Sequence, residues 1–203
     1  MAPPERKLRR DAAENRERVL HAADELLGQQ GLDVSMDSIA HLAGVGTGTL
    51  YRRFPSKDAL IDELVADIVE SVARAAEEAL ARDDGRGLED FLRETASSFA
   101  RRRGCLSRVW DHRRTNPRVQ EVRELAARLL EQAQRHGTAS PEATIGDVLL
   151  LLWALRGVIE TTGEAAPGSW ERHLEIHLAG LRAAPFAGPR PPMTAEEIAA
   201  VTQ

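Results

Sequence analysis

The sequence predicts an all-α fold, because apolar residues recur at helical spacing along almost the whole chain and no segment shows sustained strand-type alternation. The composition agrees with this prediction. Aromatic residues make up only 4% of the chain, so the core is built mainly from aliphatic side chains, many of them the helix-favouring Leu and Ala. Hydrophobic residues make up 42% and charged residues 29%, which is typical of a folded globular protein rather than a disordered one.

The N-terminal part contains three predicted helices. The first covers about residues 10–30, the second lies between Ser35 and Gly44, and the third runs from Thr47 through Phe54. The first is followed by a glycine, where a left-handed C-cap is expected. Ser35 and Thr47 are the predicted N-caps, since a hydroxyl there accepts a hydrogen bond from a free N–H of the first turn. The residues of the second helix that are predicted to face inward are Ile39, Ala40 and Leu42.

The remaining helices are mostly longer and bring the predicted total to about nine. They are predicted at residues 57–82, 88–100, 106–113, 119–136, 141–160 and 170–181. The helix at 141–160 is apolar on nearly all sides, so we expect it to be buried in a core or against a partner. The segment from Pro185 onward is rich in proline and is predicted to be an exposed, mobile tail, in which Thr194 and Glu197 cap a terminal turn.

The charge distribution is uneven. The net charge is −5, yet basic residues cluster at the start of the chain. These are Arg6, Lys7, Arg9 and Arg10. The pattern excludes a protein coated with basic residues, but it is compatible with one that meets phosphates through a single face. The single cysteine, Cys105, excludes an intrachain disulfide and is predicted to be a small buried side chain rather than a nucleophile.

Several function classes lack their sequence signatures. No secretory leader is recognisable, and the longest apolar run, Val148 to Leu155, is too short to span a bilayer, so we expect a cytoplasmic protein with no membrane partner. The sequence contains no G-x-S-x-G elbow, no phosphate-binding glycine loop after a strand and no zinc helix, so we expect no enzymatic activity, no cofactor and no metal. His173 and His177 lie one helical turn apart, but packing is their expected role.

The second and third helices have the plan of a helix-turn-helix, joined by the turn Gly44-Val45-Gly46. The turn needs glycine because two helices that meet steeply leave no room for side chains. Leu50 and Phe54 form the buried side of the third helix. Its outward side chains are short hydroxyls and guanidinium groups, which suit phosphates and the edges of guanine. These outward residues are Thr47, Thr49, Arg52 and Arg53, and Gly48 between them lets the backbone approach a groove closely.

The run IAHLAGVGTGTLYRRFPSKDAL, residues 39–60, resembles the DNA-binding motif of the TetR family almost without interruption. The glycine turn occurs together with Tyr51, Phe54 and Lys57, and this combination distinguishes the motif from a merely structural helix corner. The domains that follow from it are a helix-turn-helix domain at 1–56 with a basic arm at 1–10, a ligand-binding and dimerisation domain at 57–184, and a tail at 185–203.

The resemblance implies a set of DNA contacts. Tyr51 and Lys57 would contact backbone phosphates, and Ser35 would cap the second helix and donate to a phosphate. The residues implied to face the major groove are Thr47, Gly48, Thr49, Arg52 and Arg53, with Gly46 at their edge. Gly46 and Thr47 stand where many family members carry serine and a longer polar residue, so the bases that are read stay open. Arg9 and Arg10 form an arm that enters the minor groove or follows the backbone, or else a solvated terminus.

The resemblance also implies an effector pocket between the helices at 57–82 and 141–160. The bulky residues best suited to line a pocket for a lipophilic compound are Phe99, Trp110 and Trp153, with ordinary core packing as the alternative. Arg156 and Glu160 lie one turn apart in the most apolar helix, where they pair with each other, pair across a subunit interface, or meet the ligand. The last two strong helices carry more apolar surface than one chain needs, which favours a homodimer.

The sequence therefore predicts a transcriptional regulator that binds double-stranded DNA. Its expected action is that of a repressor, released from a palindromic operator when a small lipophilic ligand binds the C-terminal domain. The acidic body favours a cationic ligand. An activator, an enzyme and a helical interaction module without DNA are the alternatives. A test of DNA binding distinguishes a repressor or an activator from an enzyme and from a helical interaction module.

Overall fold

The structure is a computed structural model that describes residues 4–106, 108, 116–163, 165–182 and 191–202. This part of the chain contains nine α-helices, two short 3-10 helices and no strand, which confirms the all-α prediction. The α-helices are α1 (Pro4–Gln30), α2 (Met36–Ala43), α3 (Thr47–Arg53), α4 (Lys57–Arg82), α5 (Gly87–Arg101), α6 (Pro117–Arg135), α7 (Ile145–Thr162), α8 (Ser169–Arg182) and α9 (Ala195–Thr202). The helix predicted at 106–113 lies almost entirely outside the described residues.

The chain forms two compact units. The first comprises Met1–Asp67 and Arg102–Arg108, and the second comprises Ile68–Arg101 and Val109–Gln203. Helix α4 therefore begins in the first unit and ends in the second. None of the described helices is both long enough and apolar enough to cross a membrane.

The first unit is built on α1, which packs against α2 and against the 3-10 turn Arg103–Cys105. The Ser35 hydroxyl accepts a hydrogen bond from the Ser38 N–H at 3.1 Å, which confirms the predicted N-cap of α2. Gly44 ends this helix in the left-handed region, with a φ of 63°. The side chains that fill the core of the unit include Ala23, Leu27, Ile39, Leu50, Phe54 and Leu60.

Three local predictions for this unit are wrong. Helix α1 begins at Pro4 rather than near Arg10, since proline is well tolerated in a first turn. The N-cap of α3 is Gly46, whose backbone is extended, so that Thr47 is the first helical residue. Leu42 is 47% exposed rather than inward-facing. The buried residues of α2 follow the spacing i, i+3, i+4, i+7, which Leu42 does not match. They are Met36, Ile39, Ala40 and Ala43.

Gly104 is the point where the 3-10 turn meets α1. A Cβ atom at this position would overlap the carbonyl oxygen and carbon of Leu27 and would lie 2.9 Å from the backbone nitrogen of Gly28. The neighbouring Arg103 Nε donates to the Gly28 carbonyl oxygen at 2.9 Å, so the approach is also fixed by a hydrogen bond. Cys105 is completely buried, as predicted, and this burial raises the pKa of its thiol to about 12.

The second unit has its core among α5, α6, α7 and α8. The most apolar of these helices is α7, in which seven of 18 residues are buried in the unit, so the predicted burial holds for one side of the helix. This helix begins at Ile145 rather than at Pro141, because Thr144 and Asp147 form a capping box there. Asp147 Oδ2 accepts from the Thr144 N–H at 2.8 Å, and the Thr144 hydroxyl accepts from the Asp147 N–H at 3.4 Å.

The C-terminal segment is mostly exposed, as predicted, but it contains a helix of eight residues where a terminal turn was expected. Helix α9 is capped as expected, because the Thr194 N–H donates to Glu197 at 2.8 Å and the Glu197 N–H donates back to the Thr194 hydroxyl at 3.1 Å. Ile198 is only 7% exposed, and it lies against Gly146 at the start of α7. This apolar contact, absent from the prediction, attaches the segment to the second unit. Residues 183–190 lie outside the described part of the chain.

Candidate nucleic-acid interface and apolar cavity

The turn between α2 and α3 sets the direction of the third helix. Its first glycine, Gly44, adopts the left-handed conformation, and the Val45 N–H returns to donate to the Ala40 carbonyl at 3.0 Å. The Gly46 carbonyl then accepts the first two hydrogen bonds of α3, from Thr49 at 2.8 Å and Leu50 at 3.1 Å. These hydrogen bonds join the turn to the end of α2 and the start of α3, so they fix the direction in which α3 leaves the turn.

Helix α3 has two distinct sides. Leu50 and the residue that ends the helix, Phe54, are each 1% exposed and anchor it to the first unit. The other side is exposed, and Tyr51 presents 46% of its surface there. A Cβ atom added to Gly48 would meet nothing within 4 Å, so the backbone on this side is open to a close approach. The exposed residues are Gly46, Thr47, Gly48, Thr49, Tyr51, Arg52 and Arg53.

The two arginines of α3 differ in their surroundings. Arg53 donates to Glu63 at 3.1 Å, and its guanidinium lies 5.0 Å from the centre of the Phe54 ring. Arg52 is exposed and makes no hydrogen bond or ion pair with the described residues. Arg52 is therefore available to an external anion without loss of an internal contact, whereas Arg53 has to leave Glu63.

Lys57 and Ser35, the two predicted phosphate contacts at the ends of the segment 35–57, both have internal partners, and those of Lys57 were not predicted from the sequence. Lys57 Nζ donates to the carbonyl oxygens of Leu32 and Val34, the latter at 3.1 Å, and so connects the start of α4 to the segment before α2. An ammonium has three donors, which leaves one for a phosphate. The Ser35 hydroxyl accepts from the Ser38 N–H at 3.1 Å and shares a second hydrogen bond of 2.8 Å with the Ser38 hydroxyl, in which either oxygen can donate.

The predicted basic arm is helical in its described part. Arg9 and Arg10 belong to α1, which continues without interruption from Pro4. Their side chains lie outside the described residues, as do residues 1–3. Any contact that these arginines make with DNA therefore extends from a helix rather than from an extended strand.

The second unit contains an apolar cavity with a volume of about 100 Å³. Four helices surround it, and nearly all of the side chains that they contribute are aliphatic or aromatic. Its walls are formed by Ile68, Val69 and Val72 of α4, Phe91, Thr95 and Phe99 of α5, Val119, Val122, Arg123 and Ala126 of α6, and Leu149, Leu152 and Trp153 of α7. An enclosure of this kind suits the apolar part of a small ligand.

The sequence-predicted ligand residues fall into three groups. Phe99 and Trp153 line the cavity together, although they lie on different helices. Arg156 and Glu160 are not among its lining residues, and Arg156 Nε donates to Glu160 at 2.9 Å along α7. This is the pairing within one helix that their spacing favoured. Trp110 lies outside the described residues.

Two polar residues of the cavity are missing from the set of ligand residues predicted from the sequence. Thr95 is 2% exposed, and its hydroxyl has no hydrogen-bond partner among the described residues. Arg123 is half-buried, and burial lowers the pKa of its guanidinium below the ordinary value. The sequence does contain a feature that could have identified Arg123: it is a charged residue within the apolar stripe of α6, beside Val122 and close to Ala126.

The histidine pair of α8 lies apart from these sites. His177 Nδ1 lies 2.9 Å from the His173 carbonyl oxygen, and the centres of the two rings are 4.3 Å apart. Burial lowers the pKa of His173, with a smaller contribution from His177. Within the described part of the chain, no group of three or more His, Cys, Asp and Glu residues could hold a metal ion.

Comparison with known proteins agrees with this arrangement. Residues 19–64 match the family described as bacterial regulatory proteins, tetR family, and residues 83–183 match the C-terminal domain of SbtR-like transcriptional regulators. An HTH-type transcriptional regulator of Staphylococcus aureus is 38% identical over 86 residues, which are 41% of this chain and 44% of that protein. The match therefore spans less than half the length of this curated relative.

Solved structures extend the similarity over most of the chain. The TetR transcription regulatory protein from Mycobacterium vanbaalenii is 31% identical, with 87% of this chain and 99% of that one covered and a TM-score of 0.66. A TetR transcriptional regulator from Streptomyces coelicolor is 26% identical, with 83% and 99% covered and a TM-score of 0.63. With its helix-turn-helix geometry and an exposed α3, this chain belongs to the TetR family and is a DNA-binding transcriptional regulator, not an enzyme.

Proposed function

We propose that this protein is a homodimeric repressor that leaves a palindromic operator when a small lipophilic molecule fills the cavity of the second unit. The observation that carries the proposal is that α4 contributes residues both to the cavity and to the DNA-binding segment. Ile68, Val69 and Val72 of this helix line the cavity. Its first residue, Lys57, binds carbonyl groups of the segment before α2. A ligand that displaces α4 would therefore disturb the DNA-binding segment.

The DNA contacts that we propose centre on the exposed side of α3. Arg52 and Arg53 reach base edges in the major groove, where guanidinium groups bind guanine, and Gly48 allows the close approach. The remaining proposed base contacts are Gly46, Thr47 and Thr49. The phosphate contacts are Ser35, Tyr51 and Lys57, with Arg9 and Arg10 along the backbone. In this scheme residues 1–56 bind DNA together with Lys57, the first residue of the domain at 57–184, and the rest of that domain binds the effector and dimerises.

The proposed dimer interface is formed by α7 and α8. Leu150 of α7 is 45% exposed and Ile176 of α8 is 56% exposed, and together they form an exposed apolar patch. Both border a groove that also contains the small residues Ala154 and Gly180, which allow helices to approach closely. A two-fold axis through this groove would join two copies through four helices. Two DNA-binding segments about 34–36 Å apart would then meet successive turns of a palindromic operator.

Replacing Ile176 by aspartate tests this interface. Because a two-fold axis brings two carboxylates into one apolar contact, we expect the dimer dissociation constant to rise at least about tenfold, or about 1.4 kcal/mol. Analytical ultracentrifugation measures this constant directly. Val201→Asp on α9 is the matched control, since Val201 is an exposed aliphatic residue, 43% exposed, outside the groove. A monomeric wild type, or an Ile176→Asp variant that dimerises as tightly, would refute the interface.

The repressor role is tested by transcription of the genes that flank the gene for this chain. Deleting the gene is expected to raise their transcription, and restoring it on a plasmid should lower transcription again. Lower transcription in the deletion strain would identify an activator and would overturn the proposal. Ligand release is tested separately with purified protein bound to labelled operator DNA, where an apolar compound that raises the melting temperature of the protein should dissociate the complex.

A further inference from the structure

We infer that the effector is an amphipathic anion, with an apolar body that fills the cavity and a carboxylate-type head that binds Arg123. This inference deepens the proposed function and rests on it. It also replaces the cationic ligand that the acidity of the body favours, because the charged residue that lines the cavity is an arginine. A surface charge says little about the charge at a buried wall.

The polar groups at the cavity wall are suited to an acceptor. Arg123 and the indole of Trp153 donate hydrogen bonds only, and the Thr95 hydroxyl donates or accepts. The lining residues of the described chain include no carboxylate. An ammonium head beside Arg123 would therefore meet a like charge, whereas an anionic head would meet a counterion there.

Arg123 lacks the partners that a neighbouring arginine has. Arg118, on the same helix, pairs with Glu70 at 3.0 Å and Glu77 at 3.2 Å. Arg123 is half-buried and forms no salt bridge with any described residue. Burial lowers the pKa of Arg123, and the charge of Glu124 opposes this shift. A bound carboxylate would supply the missing counterion in a planar, two-bond geometry.

Thr95 provides an independent observation. Its side chain is 2% exposed at the cavity wall, and its hydroxyl has no partner in the described structure. A buried hydroxyl without a partner destabilises the free protein, and an acceptor on the ligand would satisfy it. Arg123 and Thr95 both line the cavity, and among the residues that the structure describes Arg123 thus has no salt-bridge partner and the Thr95 side chain no hydrogen-bond partner.

The size of the cavity limits the apolar body. Its volume of about 100 Å³ is smaller than the roughly 300–1,000 Å³ of sites for drug-sized ligands. A short alkyl chain is therefore a suitable body, and a bulkier one requires the helices to separate. Octanoate, octanol and octylamine form a matched series of probes, because they share one chain length and differ in the charge of the head.

Calorimetric titration of the full-length protein with these three probes at neutral pH tests the inference. We expect octanoate to bind at least about tenfold more tightly than octanol, and octylamine to bind most weakly. Equal affinity for octanoate and octanol, tighter binding of octylamine, or failure of all three to bind would each overturn the inference.

Variants separate the charge from the apolar contact. In Arg123→Gln the preference for octanoate over octanol should fall to less than about threefold, while octanol affinity stays the same. Arg128→Gln, at an exposed arginine of the same helix, is the control and should keep the full preference. Thr95→Val preserves shape and removes the hydroxyl, so its melting temperature should rise while octanoate affinity falls. Unchanged preference in Arg123→Gln, with its melting temperature confirming folding, would overturn the inference.

The same probes distinguish this inference from the proposed function. If octanoate binds through Arg123 but leaves the operator complex intact, the inferred anion-binding site is supported and the proposed release of DNA by the ligand is refuted. If octanol dissociates the complex as well as octanoate does, the proposed release of DNA by the ligand is supported and the inferred anion-binding site is refuted. Anisotropy of labelled operator DNA in the presence of each probe gives both readings in one experiment.

Discussion

Replacing Arg52 by alanine is expected to weaken binding to the operator by about 1–3 kcal/mol, which is roughly 5- to 150-fold. Arg52 lies on the exposed side of α3, and it makes no hydrogen bond or ion pair with the described residues. Because no internal contact is lost, the free energy of unfolding should change by less than about 0.5 kcal/mol. Fluorescence anisotropy with DNA from the flank of the gene, together with denaturant unfolding, measures both quantities.

The salt dependence adds a second reading to this experiment. A lost phosphate contact reduces the slope of log affinity against log salt concentration by about one, whereas a lost base contact leaves the slope unchanged. Arg74→Ala is the matched control, since Arg74 is an exposed arginine of α4 in the second unit. Equal affinity of Arg52→Ala and wild type, with both correctly folded, would contradict the assignment of α3 as the recognition helix.

Replacing Gly104 by alanine is expected to destabilise the protein by about 3 kcal/mol or more, the upper end of overpacking effects. The new methyl group would overlap the Leu27 carbonyl group and crowd the backbone nitrogen of Gly28. These are backbone atoms of α1, which no side-chain rotation relieves. For a chain of this size, the loss corresponds to a fall in melting temperature of roughly 6–12 °C.

Gly48→Ala is the matched control for this prediction. It adds the same methyl group within the same unit, where nothing lies within 4 Å. Alanine in place of glycine within a helix stabilises it by as much as about 1 kcal/mol, so this variant should unfold no more easily than wild type. A Gly104→Ala variant as stable as Gly48→Ala would show that the 3-10 turn and α1 do not approach as closely as described.

The features of the fold that the sequence predicted correctly depend on neighbours along the chain. The Ser35 cap, the glycine turn after α2 and the anchor residues Leu50 and Phe54 each follow from signals within a few residues. The error at Leu42 has the same origin. Periodicity alone does not show whether a leucine beside the buried stripe of a helix belongs to that stripe or is exposed, as Leu42 is.

The features that escaped prediction depend on distant segments. Glycine is required at position 104 because the carbonyl group of Leu27, 77 positions earlier in the chain, leaves no room for a Cβ atom. Lys57 donates to the carbonyl groups of Leu32 and Val34, which precede α2 in the chain. The spacing of hydrophobic residues does not predict this contact. Arg123 lies in an apolar stripe, but only the packing of α4, α5 and α7 around α6 brings it to a cavity wall. The sequence therefore predicts the helices and the exposed side of α3 better than the lining of the cavity.

The most direct test of the account is the affinity of the wild-type protein for DNA from the flank of its own gene, compared with shuffled DNA of the same length and composition. The two affinities are measured side by side by anisotropy over a range of salt concentrations. The account predicts that the flanking DNA binds at least about 10³-fold more tightly at physiological salt. Equal affinity for the two DNA molecules would contradict sequence-specific recognition by the exposed side of α3 at that site.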